Sequence, residues 1–448
     1  NSDHTVFIPS KTIEIFTLNK NNGKIEKRNL QYGWRLIGGN TIIVKLRNGF
    51  EISATPEHKF IVSRDMESVD VEAKDLRIGD RIVCPRKVDN RLNFKIRTEI
   101  LNKLAGKNFY VNLKTELYNS TKLKILSYGI VNLSKELDLS VKPKSFYHGL
   151  WQNRTNLDDL LKLSKLFGYD LEKLYGQIDC IFYRNGKQRG HNSLKIKLPE
   201  NFENFFYTAG LLFGDGSERK FIVGKKELEN NFINLCKDLG MNVKAKQWKN
   251  KTPEIATNLT FVHLLNALFE YPLRKKAHNI KISDFLFRSE NKYIAQFLKG
   301  YFDTDGSVEE SRRAITISSA SKQMIDDLHL LLLRFGCLSI KEIDNTISIS
   351  GFSDLNFDKN IGFNVEHKLQ RLKNLVERVS GGLVCDTVKV GNQVMIANEK
   401  FLAYDELAFI EVKSLEQSYE EVVYDFTIPE THNFIAEGMF IHNTAFTD

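Results

Sequence analysis

Two stretches of similar design set the terms for the fold. FFYTAGLLFGDGS at 205–217 returns as AQFLKGYFDTDGS at 295–307, which places Asp215 and Asp305 at matching positions. Each copy is followed by strand-like segments and a helix, FINLCKDLGM after the first and MIDDLHLLLLRFG after the second. A half-domain repeated within one chain sets equivalent residues around a pseudo-twofold axis. Ala209 and Gly210 in one copy, and Gly300 in the other, leave little side chain on a helix face, so two such helices can approach backbone to backbone. The glycine after each aspartate suits a left-handed helix C-cap. Both carboxylates then stand at the negative end of a helix dipole and repel each other, and a bound divalent cation relieves both costs. Oxygen ligands suit Mg²⁺. A single Asp-Gly-Ser is most simply a helix stop and a turn, but two copies that open similar units weigh against that explanation.

The ends of the chain have a different character. TIIVKLR and FEISATP flank Asn48-Gly49, a strong hairpin signal, and DLRIGDRIV follows as another turn and strand. From about 386 to 443 the style returns in TVKVGN, LAFIEVKSL, EEVVYDFTI and NFIAEGMFI. Two short-stranded ends around a middle of other composition imply one β domain split by an insertion. A length of 448 residues predicts two to four domains. No run approaches the roughly 18 to 20 apolar residues of a membrane helix, so no membrane partner is expected. NSDHTVFIPS lacks the basic and apolar stretches of a signal peptide. Cys84, Cys180, Cys236, Cys337 and Cys385 are far apart and fit neither a zinc site nor a disulfide framework, which predicts reduced thiols in a cytoplasmic protein.

TAGLLFGDG and LKGYFDTDG resemble the paired motifs of the LAGLIDADG homing endonucleases, across about 200–380. The resemblance implies an αββαββα half repeated once, saddle-shaped sheets over double-stranded DNA, and Asp215 and Asp305 as metal ligands. It also implies a lysine near each centre, matched by Lys281 in NIKISDFLF and Lys368 in IGFNVEHKLQRL. The first motif departs from the pattern at Phe213-Gly214, where an acidic residue and a small one are usual, and NIKIS has Ser where Pro is common.

Such endonucleases often interrupt a self-splicing domain, and the ends of this chain are similar to one. TPEH, Thr55 to His58, resembles the intein motif that polarises the upstream splice junction. VYDFTIPETHNFIAEGMFIHNT resembles the downstream intein blocks, with Asp425 and His432 at further motif positions. The residue types suit the chemistry. The side-chain amide of Asn443 can attack its own backbone carbonyl, close a five-membered ring and break the chain, with His442 placed to give a proton or hydrogen bond to the developing charge. His58, oriented with Thr55, would protonate the amide nitrogen leaving upstream. Thr444 would be the first residue of the flanking host segment, its hydroxyl the acceptor of the upstream acyl group. TAFTD at 444–448 then reads as host sequence, and its presence after Asn443 as an unspliced chain. Inteins begin with Cys, Ser or occasionally Ala. The upstream nucleophile is therefore either Ser2, with Asn1 as the last host residue, or a residue preceding Asn1.

Charge singles out one internal block. Residues 96–200 hold 18 Lys and Arg against 10 Asp and Glu, a surplus that equals the net +8 of the whole chain. A solvated basic face would account for this, and so would a surface that neutralises phosphates. Residues 130–175 resemble a phage-repressor helix-turn-helix, with 132–138 as first helix and KPKSFYHGLWQN as recognition helix. That sets Lys142, Lys144, Ser145, Tyr147 and His148 near DNA. A small helical bundle that merely packs on the enzyme is the alternative. The later run YRNGKQRGHNSLKIK adds Arg184, Lys187 and Arg189 as phosphate contacts.

The expected organisation is an all-β Hint-type splicing domain in two pieces, 1–92 and 383–443. It is split by a basic region at 93–198, with a small helix-turn-helix at about 126–176, and by an α+β LAGLIDADG endonuclease at 199–382. The expected function is an intein that splices itself out of a host protein in cis and makes a Mg²⁺-dependent double-strand break in the intein-less host gene. Its internal repeat predicts a monomer. The alternative is a splicing intein whose nuclease has decayed to a DNA-binding module.

Overall fold

A computed structural model of the protein describes residues 4–64, 67–88, 94–140, 142–184, 195–249, 251–381, 389–390, 393–394 and 406–443. Ser2, Lys187, Arg189 and Thr444 lie outside the described residues, as does most of TVKVGN.

The two ends close on each other through one long strand pair. In Tyr32–Leu46 the side chains of Ile42, Val44 and Leu46 alternate inward, as a half-buried strand requires. Its partner is Leu407–Thr427, antiparallel from Val412↔Leu46 to Thr427↔Tyr32. The near end of the same long strand crosses to Arg81–Pro85. Lys59–Arg64, Met439–His442 and Asn433–Ala436 continue the nine-stranded sheet, with Glu51–Ala54 and Glu67–Glu72 on its flanks. Phe60, Val62, Ile82, Val412, Phe434 and Met439 fill its core, drawn from both ends of the sequence. The hairpin expected at Asn48-Gly49 forms, with Gly49 at a positive φ of 93°. The insertion leaves and re-enters side by side: the Arg86 amide donates to the Glu406 carbonyl at 2.6 Å.

Within the insertion, helix α1 (Phe202–Asp215) and helix α2 (Asn291–Asp305) each lead into a four-stranded antiparallel sheet. The first sheet runs Gly216–Ser217, Lys220–Ile222, Glu254–Ala256, Ala245–Lys246, and the second Gly306–Glu309, Ala314–Ser318, Thr346–Ser350, Ser339–Lys341. Both share one order of pairing, and Lys226–Asp238 and Lys322–Leu331 occupy the same place in each half. Leu259–Phe269 and Phe352–Asn360 close the two αββαββα units. The two long helices touch at their backbones. A Cβ on Gly210 would run into the Phe297 carbonyl, and one on Gly300 into the Tyr207 carbonyl, a symmetric pair of contacts that only glycine permits. Phe205, Phe206, Phe269, Phe285 and Phe297 pack fully buried beside them, each contributing about 1.5–3 kcal/mol by leaving water.

Two expectations change. Gly216 and Gly306 are not left-handed caps: φ is −83° and −76°, with extended ψ. Glycine is needed there for space, since a Cβ would crowd the Leu212 and Phe302 carbonyls. The basic region also shares its interior with the two repeated units. Phe94, Ile100, Leu104, Phe109, Val111, Tyr175 and Ile181 belong to the same continuous core as α1 and α2. Its helices Thr115–Tyr128, Ile130–Glu136, Pro143–Trp151 and Leu157–Phe167 keep a separate small core of Ile125, Leu133, Phe146, Leu150 and Leu163.

The helix contact is testable. Gly300→Ala should lower stability by about 1–3 kcal/mol, because a buried methyl against a fixed backbone forces the helices apart. Denaturant midpoints of the variant and the parent measure it, and equal midpoints would contradict the close contact.

Candidate functional sites

The last turns of α1 and α2 bring Asp215 and Asp305 together. Asp215 is half-buried, while Asp305 keeps access to solvent although protein crowds around its carboxyl. Burial raises the Asp305 carboxyl most, the like charge of Asp215 adds to it, and the result is about 6 despite Lys276 and Lys368. Asp215 is also raised by burial, against Lys276, Lys225 and Lys368.

Two ammonium groups occupy equivalent posts at the helix ends. The Lys368 Nζ donates to the carbonyls of Phe302 (2.9 Å), Asp303 (2.8 Å) and Thr304 (3.3 Å). The Lys276 Nζ donates to the matching carbonyls of Leu212 (3.3 Å), Phe213 (2.8 Å) and Gly214. The chain thus neutralises its own negative helix ends, leaving the outward carboxylates free of that duty. Burial draws Lys276 down to about 8 and Lys368, with Lys225 beside it, down to about 7.

This corrects the sequence expectation of Lys281. Its ammonium is exposed and pairs with Glu270 at 2.9 Å, beyond the short helix Lys276–Asn279 that delivers Lys276 instead. The halves also differ. Buried Asp303 accepts from the Tyr207 hydroxyl (2.8 Å) and the amides of Asn364 and Val365, so it anchors the loop that presents Lys368. Its counterpart is Phe213, packed on Tyr271 and Phe297. A second lysine, Lys225, donates to the Asp303 carbonyl at 3.0 Å. Asp303 and Lys225 were not singled out from the sequence.

A second constellation lies in the β domain. Thr55, His58 and Asp425 line one cleft of about 340 Å³ with Phe434 and Ile441. The TPEH turn is closed by the His58 amide donating to the Thr55 carbonyl at 3.0 Å. Burial lowers the pKa of His58, opposed by Asp425 and reinforced by His442, and its Nε2 has no hydrogen-bond partner among the described residues. Burial thus favours the neutral ring, and one of its nitrogens is unengaged among the described residues. Asn443 follows strand Met439–His442 and is buried, its amide donating to the His432 carbonyl at 3.1 Å. Oriented to satisfy both ends of the side-chain amide, Asn443 donates to the same carbonyl at 2.6 Å and accepts from the Ile428 amide at 3.2 Å. His432 takes a left-handed φ of 50°, which turns its carbonyl to this task. His442 meets Asp70 and Lys20, two residues the motifs did not flag.

The predicted DNA-contact residues Lys142, Lys144, Ser145, Tyr147 and His148 all stand exposed on or just before helix Pro143–Trp151. Lys144, Ser145 and His148 share a cavity of about 440 Å³ with Arg154 and Arg184, and no acidic side chain lines it among the described residues. The first helix of the pair runs Ile130–Glu136, two residues earlier than the expected 132–138.

The family model of the intein splicing domain matches residues 10–443. Elongation factor 2 of Methanopyrus kandleri is 33% identical over 489 residues, covering 97% of this chain and 38% of that protein. The probable translation initiation factor IF-2 of Methanocaldococcus jannaschii is 27% identical over 548 residues, covering 97% of this chain and 44% of that protein. The chain thus spans less than half the length of these curated relatives. Among solved structures, variants of the homing endonuclease I-DmoI are 15% identical, covering 39% of this chain and 100% of that one, with a TM-score of 0.31.

The carboxylate pair makes a pH prediction. Because the folded value of Asp305, about 6, exceeds the unfolded one, the fold holds the extra proton between roughly pH 4 and 6. Its contribution to stability is therefore complete below pH 4 and fades as pH rises through 6. In metal-free protein, carbon NMR should find this carboxyl titrating near 6, and Asp215→Asn should move it lower. An ordinary value in both proteins would contradict the pairing.

Proposed function

Because the chain belongs to the intein splicing-domain family, we propose that it excises itself from a host protein and, through its insertion, cuts the uninterrupted host gene. The observation that carries the first half is the meeting of TPEH, Asp425, His442 and Asn443 within one β domain closed by strands from both ends. The relatives support it: two differently named proteins match across nearly all of this chain, which makes up less than half of each.

At the downstream junction the Asn443 side-chain nitrogen attacks the backbone carbonyl of the same residue. The new C–N bond closes the ring, the bond to Thr444 breaks, the side-chain nitrogen gives up a proton and the leaving amine gains one. His442, the residue before Asn443, is the group assigned to supply that proton. The tether from Asn443 to the His432 carbonyl must release first, so cyclisation is gated by this hydrogen bond. At the upstream junction neutral His58, with its unengaged nitrogen and Thr55 in the same turn, serves the amide that becomes the leaving group. The acyl group passes from an upstream nucleophile, Ser2 or a residue before Asn1, to the Thr444 hydroxyl.

For the nuclease, the reading rests on the pseudo-twofold pair Asp215 and Asp305. Both are oxygen donors, raised toward neutrality by burial and, for Asp305, by the neighbouring charge, which a hard divalent cation such as Mg²⁺ would relieve. When bound, such an ion supplies a lowered water pKa and charge stabilisation at a phosphodiester. Lys276 and Lys368 hold the helix ends in place and put positive charge beside the scissile phosphates. Helix Pro143–Trp151, as the second helix of a helix-turn-helix, enters the major groove with Lys142, Lys144, Ser145, Tyr147 and His148, while Arg184, Lys187 and Arg189 follow the backbone. The internal repeat lets one chain address both strands.

The test is a plasmid carrying the uninterrupted host gene. The expected result is Mg²⁺-dependent linearisation, lost in the Asp215→Asn, Asp305→Asn double variant and reduced at least tenfold by Lys276→Met but not by Lys281→Met. Cutting that persists in EDTA, or full linearisation by the double variant, would remove these carboxylates from the reaction.

A further inference from the structure

Strand Met439–His442 carries His442 against two groups far away in the sequence. Its Nε2 lies 2.8 Å from Asp70 Oδ1 and 2.8 Å from Lys20 Nζ, and the lysine and aspartate are 2.6 Å apart. Three atoms in such a triangle cannot all be hydrogen-bonded. The ammonium only donates, the carboxylate only accepts, and the ring nitrogen does one or the other. An unprotonated Nε2 accepts from Lys20, whereas a protonated Nε2 donates to Asp70. Lys20 keeps its bond to Asp70 in both states. The ring therefore changes partner when Nε2 gains or gives up its proton.

The placement is built into the sheet. Asn433, fully buried, is the register partner of His442 in the terminal hairpin. Its side chain accepts from the Leu18 amide at 2.7 Å and donates to the Leu18 carbonyl at 2.8 Å, which sets Lys20, two residues on, over the ring. Asp70 comes from Glu67–Glu72, paired with the strand whose Phe60 pairs with Ile441. Burial pushes the Asp70 carboxyl up, but the bonds from His442 and Lys20 outweigh it and hold it at about 2. His58 is the other titratable group whose charge is felt between the two rings.

We propose that Lys20 and Asp70 are positioning residues for His442 in scission at Asn443: Lys20 donates to Nε2 when that nitrogen carries no proton, and Asp70 accepts from it when the doubly protonated ring delivers a proton. This rests on Asn443 being the scission point. In the charged state Nε2–H points to Asp70, which leaves Nδ1–H as the proton that passes to the leaving amine. Afterwards Nε2–H still donates to Asp70.

The two residues then push the pH response in opposite directions, which a merely structural role would not do. Release of a reporter fused after Thr444 is followed from pH 5 to 9 in the full chain. Asp70→Asn should move the midpoint of cleavage at least about one unit toward acid, and Lys20→Met should move it toward alkali. Nitrogen NMR of the ring should report loss of the Nε2-accepting tautomer in Lys20→Met. Asn443→Ala separates the two levels. Continued release from that variant would overturn the scission point itself. Release abolished by Asn443→Ala, together with unmoved midpoints or parallel shifts in the other two variants, would overturn the positioning role alone.

Discussion

Everything in this protein depends on one strand pair. Tyr32–Leu46 and Leu407–Thr427 zip together across more than 350 intervening residues, and the cleft that holds Thr55, His58 and Asp425 exists only once they have done so. A long loop is a mild obstacle, since closure entropy rises by only about 0.6 kcal/mol for each doubling of length. A folded insertion lowers it further by returning its ends to one place, as the bond from Arg86 to Glu406 requires. Contacts at the seam then join the two bodies. The Lys341 amide donates to Asn48 at 2.8 Å, Phe50 packs on His329 at 4.3 Å, and Leu333 enters the β-domain core.

Inside the insertion the same economy recurs on a smaller scale. Gly210 and Gly300 let two helix backbones touch, and that contact sets the distance between the carboxylates at their ends. Lys276 and Lys368 then take over the helix carbonyls, so the aspartates face outward without also having to satisfy the backbone. The symmetry is imperfect where Asp303 and Lys225 brace one end and Phe213 the other. The two centres are accordingly held by different means, one by a buried polar network and one by aromatic packing.

Much of this could be read from the sequence, and the rest fails for identifiable reasons. The repeat was visible because glycine and aspartate recur at fixed offsets that a helix pair demands. The split β domain was visible because β-branched runs and Asn48-Gly49 signal strands locally. Sequence alone does not separate Lys281 from Lys276, five residues away, because only the turn of helix Lys276–Asn279 decides which one reaches the helix-end carbonyls. Gly216 and Gly306 suggested left-handed caps, but crowding by the preceding turn also demands glycine, and sequence does not separate the two causes. Lys20 and Asp70 were illegible because their partner His442 lies 422 and 372 positions away, and no periodicity spans such a separation.

Closure of the β domain should make a self-excising unit. Intact mass spectrometry of a precursor carrying host sequence on both sides measures this directly. The expected products are a joined pair of host flanks and a free chain ending at Asn443 as the cyclic imide, one water lighter than its hydrolysed acid. Flanks that stay attached, or a released chain ending in ordinary acid at another residue, would contradict it.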